Sequence, residues 1–123
     1  MTVDGAISPG SFKKIYRIRG FLVGAAGDAS ACDAWVEWFM RGANGRRPCM
    51  REVQVLVIDR LGRAALHDTA PEPTPVKPCF AIGTGGTFAM CAMQAGADAR
   101  RAVEIAAKFD PLTGGRIRWL NRN

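Results

Sequence analysis

The sequence predicts an α+β domain in which antiparallel strands stack in layers with helices on the outside. Three observations carry that prediction. Residues Phe12 to Arg19 alternate in the period-two manner of a half-buried strand, with aromatic and β-branched side chains among them. Glu52 to Asp59 is a dense run of Val, Leu and Ile, too short and too β-branched to favour a helix. Ala102, Ile105, Ala106 and Phe109 recur at i, i+3, i+4 and i+7, which puts them on one face of a helix.

Taken in order, residues 1–11 are rich in Gly, Ser and Pro and predict a loop. Phe12 to Arg19 turns at Gly20 into Phe21 to Gly27, an apolar return strand ending in small residues, so the pair reads as a hairpin. Asp28 is a good N-cap, and Ala31, Ala34, Trp35, Trp38 and Phe39 then follow helical spacing up to Arg41-Gly42. The strand Glu52 to Asp59 turns at Leu61-Gly62 into a shorter partner, Arg63 to His67. Four prolines between Thr69 and Pro78 predict an extended loop, since they exclude helix and central strand. Cys79 to Ile82 reads as a short strand entering Gly83-Thr84-Gly85-Gly86, and a helix from Phe88 to about Ala95 follows. Asp98 caps the next helix, and Arg116 to Leu120 closes the chain as a strand. Antiparallel hairpins and helix pairs in this order suggest layered αββα packing in a single domain spanning 1–123.

Composition excludes several function classes. The 123 residues suffice for one core, and no apolar run approaches the roughly 20 residues of a membrane span. The start carries no basic n-region or apolar h-region, so the expected location is the cytoplasm. Cys32, Cys49, Cys79 and Cys91 lack paired spacing and His67 is the single histidine, so no metal or other cofactor is expected. One histidine is also poor material for a Ser-His or Cys-His triad. The net charge is +6, but its sources are spread from Lys13 to Arg122 and the aromatics sit at apolar positions. That pattern describes a solvated basic surface better than a nucleic-acid stripe.

Three segments resemble proteasome β-subunits and their HslV-type relatives, members of the N-terminal-nucleophile (Ntn) hydrolases. Lys14-Ile15-Tyr16-Arg17-Ile18 followed by Leu22-Val23-Gly24-Ala25-Ala26-Gly27-Asp28-Ala29 is similar to the family's lysine-led strand, glycine-bearing return strand and helix start. Phe80-Ala81-Ile82-Gly83-Thr84-Gly85-Gly86 resembles its A-x-G-S-G turn, and Asp110-x-x-Thr113-Gly114-Gly115 its D-x-x-S-G-G loop. The resemblance runs from Lys14 to about Trp119 and implies a reduced αββα Ntn-hydrolase-like sandwich with threonine-peptidase ancestry. It implies that Lys14 lowers the pKa of the nucleophile and its amine, that Gly24 supplies an oxyanion N–H, that Thr84 is the turn hydroxyl, and that Asp110 and Thr113 orient the amine. Such chemistry needs a cation, relay hydroxyls and backbone donors around a threonine that uses its own α-amine as base. Taken singly, each residue has an ordinary structural reading as surface lysine, packing glycine, cap or turn; together they favour the family.

The family's first hairpin, with its nucleophile and an aspartate that holds the lysine, is expected to be missing here. Thr2 becomes an N-terminal threonine if Met1 is removed, but it lies close to Lys14 in sequence and needs an unfamiliar path to the site. Two functional readings therefore stay open: a peptide-cleaving hydrolase whose start lies upstream, or a non-catalytic assembly subunit on the same fold. A nucleic-acid-binding module ranks third. Loss of the hairpin leaves an unpaired edge and apolar surface, which predicts a homo-oligomer, dimer or ring, with the helix of Trp35, Trp38, Phe39 and Met40 or the exposed edge at its interface.

Overall fold

A computed structural model describes residues 14–77 and 79–110, together with the backbone of 6–8 and 118–120. Its central feature is a five-stranded antiparallel sheet built from two hairpins and an edge strand. Strand β2 (Ile15–Ile18) pairs with β3 (Phe21–Gly27), β3 with β4 (Val53–Ile58), β4 with β5 (Ala64–His67), and β5 with β6 (Thr74–Val76). The β3–β4 register sets Val23 opposite Val57 and Leu22 opposite Ile58, so alternate residues of both strands share a face. Both faces are dry: Val23, Val55, Leu56 and Ile58 have no exposed surface.

The face carrying Val23, Ala25, Val55 and Val57 packs under helix α1 (Ala29–Met40). This helix forms because Asp28 accepts a hydrogen bond from the Ala31 N–H at 3.0 Å, and because Cys32, Trp35 and Val36 bury one stripe against the sheet. Trp35 is fully buried and stacks on Phe39 at 4.9 Å, a contact contributing roughly 1 kcal/mol beyond its area. The helix ends where the N–H groups of Gly42 and Ala43 reach back to the carbonyls of Phe39 and Trp38, each at 3.0 Å. Most of the aromatic stripe therefore serves the domain's own core. Of the four residues expected at an interface, Met40 is the exposed one, while Trp38 and Phe39 are half-buried.

The opposite face, with Leu22, Leu56 and Ile58, packs with Ile82 and Phe80. Beyond it lie helices α2 (Gly86–Gln94) and α3 (Ala99–Phe109), which close on each other through Ala89, Met93, Ala102, Val103 and Ala106. Asp98 caps α3 by accepting from the Arg101 N–H at 2.8 Å. A short ladder, β1 (Ala6–Ser8) with β7 (Arg118–Leu120), touches β2, β3 and α3. The layers thus run helix, sheet, sheet, helix.

Three sequence expectations are corrected. Ala6–Ser8 is a strand rather than loop, because its partner is the far end of the chain and tertiary pairing overrides its local composition. Thr74–Val76 is also a strand, and Pro75 is tolerated because β6 is the sheet's outer edge. Cys79 to Ile82 is not a strand. Cys79 adopts φ +68°, which breaks the extended path and leaves a single bridge residue at Ala81.

Candidate active site

The turn between Ile82 and α2 places the first functional group. Gly83 has φ +96°, and its carbonyl accepts from the Gly86 N–H at 3.0 Å, so the chain folds sharply just before the helix. That turn directs the Thr84 hydroxyl to Asp110, where Oγ1 donates to Oδ2 at 2.6 Å. Asp110 caps the far end of α3, its N–H bonded to the Ala106 carbonyl at 2.9 Å. Its residue is 7% exposed, the sole buried charged group among the described residues. A short hydroxyl–carboxylate bond in such a place is among the stronger hydrogen bonds a protein makes.

The same turn leans on the end of β3. A Cβ added at Gly83 would sit 3.6 Å from the Ala26 Cβ, so the Gly83-Thr84 backbone lies against the residue preceding Gly27. One residue earlier on β3, the Ala25 N–H donates to the Lys14 carbonyl at 2.9 Å, which fixes where Lys14 enters the sheet. The turn bearing Thr84 therefore meets β3 at Ala26, and Lys14 meets the same strand one residue earlier through its backbone carbonyl. Burial pushes the Cys32 thiol at the start of α1 up, and the charge of Lys14 opposes that rise. Tyr16, next but one on β2, has its hydroxyl pushed up by burial and by the nearby Asp33 and Cys32.

Gly24 is one residue before Ala25 on β3. It sits mid-strand between Ile15 of β2 and Leu56 of β4. Because N–H directions alternate along a strand and Ala25 faces Lys14, the Gly24 N–H faces Leu56 inside the sheet. The N–H that falls on the Lys14 side at the strand's end belongs to Gly27, which the sequence reading passed over. The signal was present in the Gly27-Asp28 step, since a strand ending at a helix cap leaves its last amide beyond the ladder. Thr113 and Thr2 lie outside the described residues.

No protein-family model and no curated protein matches this sequence. Solved structures do match. BPH of Thiobacillus denitrificans in complex with epoxomicin superimposes with a TM-score of 0.74 at 15% identity, covering 94% of this chain and 90% of that one. BPH of the same organism in a second structure gives 0.72 at 16% identity over 94% and 89% of the two chains. HslV of Trypanosoma brucei gives 0.65 at 20% identity over 94% and 91%. The chain has the HslV fold.

Within this HslV fold the Thr84–Asp110 pair ties the start of α2 to the end of α3. Among the described residues no three His, Cys, Asp or Glu side chains gather as a metal site, and no helix is long and apolar enough to cross a membrane.

Proposed function

We propose that this chain is a proteasome-like threonine-type peptidase of the Ntn-hydrolase family, with Lys14, Gly27, Thr84, Asp110 and Thr113 as its site. The observation that carries the reading is the buried 2.6 Å bond between Thr84 and Asp110, beside the strand end that Lys14 enters. A buried carboxylate held by a hydroxyl is costly to maintain for packing alone, and here the turn that supplies the hydroxyl lies against Ala26 near the end of β3. Epoxomicin binding by a protein of this fold supports a peptide-like substrate.

In the mechanism, the hydroxyl of an N-terminal threonine attacks the peptide carbonyl while its proton passes to the α-amine. Lys14 favours the ionised hydroxyl and the neutral amine. Thr84 and Asp110, with Thr113, hold the amine where it receives the proton and then gives it to the leaving amine. The Gly27 N–H stabilises the oxyanion. Water then cleaves the ester and frees the threonine. The nucleophile this requires lies outside the described residues. The four cysteines are free thiols, which suits a reducing cytoplasm.

The test pairs hydrolysis of fluorogenic peptides with epoxomicin binding, read as a rise in Tm. Both are expected. Neither one, in a folded protein, would assign the chain to the second reading, a non-catalytic assembly subunit.

The same proposal includes self-association, at a surface other than α1. Phe88 and Phe109 are 42% and 66% exposed and stack at 6.0 Å across α2 and α3, beside Ile105 and Ala92. Exposed aromatics gathered this way mark contact surfaces more often than scattered ones do. Light scattering is expected to show a multiple of 13.3 kDa. The double variant Phe88→Glu, Phe109→Glu should lower it to the monomer mass with circular dichroism unchanged, and a wild-type monomer would refute the assembly.

A further inference from the structure

His67, the chain's one histidine, ends β5 directly under α1. It pairs with Val55 across the ladder, and its ring meets Trp35 edge-on at 5.3 Å and 66°. Trp35 is the largest fully buried side chain and anchors α1 by sharing one core cluster with Val23, Val55 and Val57 of the sheet. Its indole Nε1 is buried with no hydrogen-bond partner. We propose that His67 is a proton-operated latch that holds α1 on the sheet while its ring is neutral and loosens the helix when it is charged.

The chemistry of the contact gives the direction. A neutral imidazole carries one donor and one acceptor, whereas the imidazolium carries two donors and a charge. As a hydrogen-bonding group the indole facing it offers only a donor, already without a partner, so the pull of its ring face on a cation is set against the cost of a buried charge. Arg47, fixed by its bond to the Ala70 carbonyl at 3.2 Å, adds a second positive charge nearby. Asp68 pulls the other way from the end of β5. Strands β4 and β6 bring no titratable side chain to the contact, being Val53–Ile58 and Thr74–Val76. Burial first and Arg47 second hold the His67 pKa below its ordinary 6.5, with Asp68 opposing in part. The unfolded chain therefore takes up the proton first. Stability is whole above pH 6.5, falls as the pH drops through that value, and levels off below the folded-state pKa. Because Asp28, the N-cap of α1, follows Gly27 directly and bonds the Glu52 carbonyl, loosening the helix also disturbs the candidate site.

Three measurements test the latch on the intact chain. The single histidine ring is followed by proton NMR against pH, and its midpoint should fall below 6.5; a midpoint at or above 6.5 would overturn the proposal. Tryptophan fluorescence should shift with the same midpoint. Thermal melts from pH 7.5 to pH 5 should show wild type losing on the order of 5 °C more than His67→Phe, which keeps a ring in place but cannot titrate. Should that variant fail to fold, His67→Gln supplies the comparison. Equal losses in wild type and variant would also overturn it, because a merely packed ring would leave the acid response unchanged.

Discussion

Replacing Lys14 by alanine should lower peptide hydrolysis by about two to four orders of magnitude, the range for a group that tunes proton transfer in the transition state. Its structural contribution should survive the change. What ties Lys14 to the fold is its backbone carbonyl, which accepts from the Ala25 N–H, and alanine keeps that bond. The half-buried side chain carries a charge toward the start of α1 rather than filling the core. The Tm should accordingly stay within a few degrees of wild type, as for a substitution costing about 0.5 kcal/mol. Asp110→Asn makes the matched test. The amide oxygen still accepts from Thr84 while the charge is gone, so kcat should fall with little change in KM. The pH–rate profile should move as well, which a packing defect would not cause. Full activity in Lys14→Ala would remove that residue from the site, and a parallel loss of activity and Tm in both variants would reduce the cluster to a structural one.

The largest effect on stability is expected at Gly27, where an alanine should cost at least about 3 kcal/mol and lower the Tm by roughly 10 °C or more. The backbone there has φ +126°, and an added Cβ would lie 2.0 Å from the Glu52 carbonyl oxygen. That oxygen accepts the Asp28 N–H at 2.9 Å, the bond by which α1 starts beside β4. Relieving the clash breaks this bond and swings the first turn of the helix, with Cys32, away from Lys14. Gly45→Ala is the control. Its φ of +81° is also positive, but nothing lies within 4 Å of the new Cβ, so it should cost only about 1 kcal/mol. Calorimetry on the two variants separates backbone preference from steric collision; equal losses would mean that Gly27 matters for its dihedral alone.

What the sequence determined by itself was decided by residues near one another. The hairpins at Lys14 to Gly27 and Glu52 to His67, the caps Asp28 and Asp98, and the apolar face of α3 follow from side-chain periodicity and turn chemistry. The short motifs that carry Lys14, Thr84 and Asp110 are local in the same way. Tertiary structure decided the rest. Thr84 and Asp110 are 26 residues apart, and their bond exists because α2 and α3 fold back on one core. Ala6–Ser8 became a strand because Arg118–Leu120 lies beside it. The amides of Gly24 and Gly27 face opposite edges of β3 for a similar reason. Both are glycines on one strand, but which edge an amide faces depends on the neighbour beside it. A residue's own sequence records its preferred angles; the partner that satisfies its N–H is supplied by chain arriving from elsewhere.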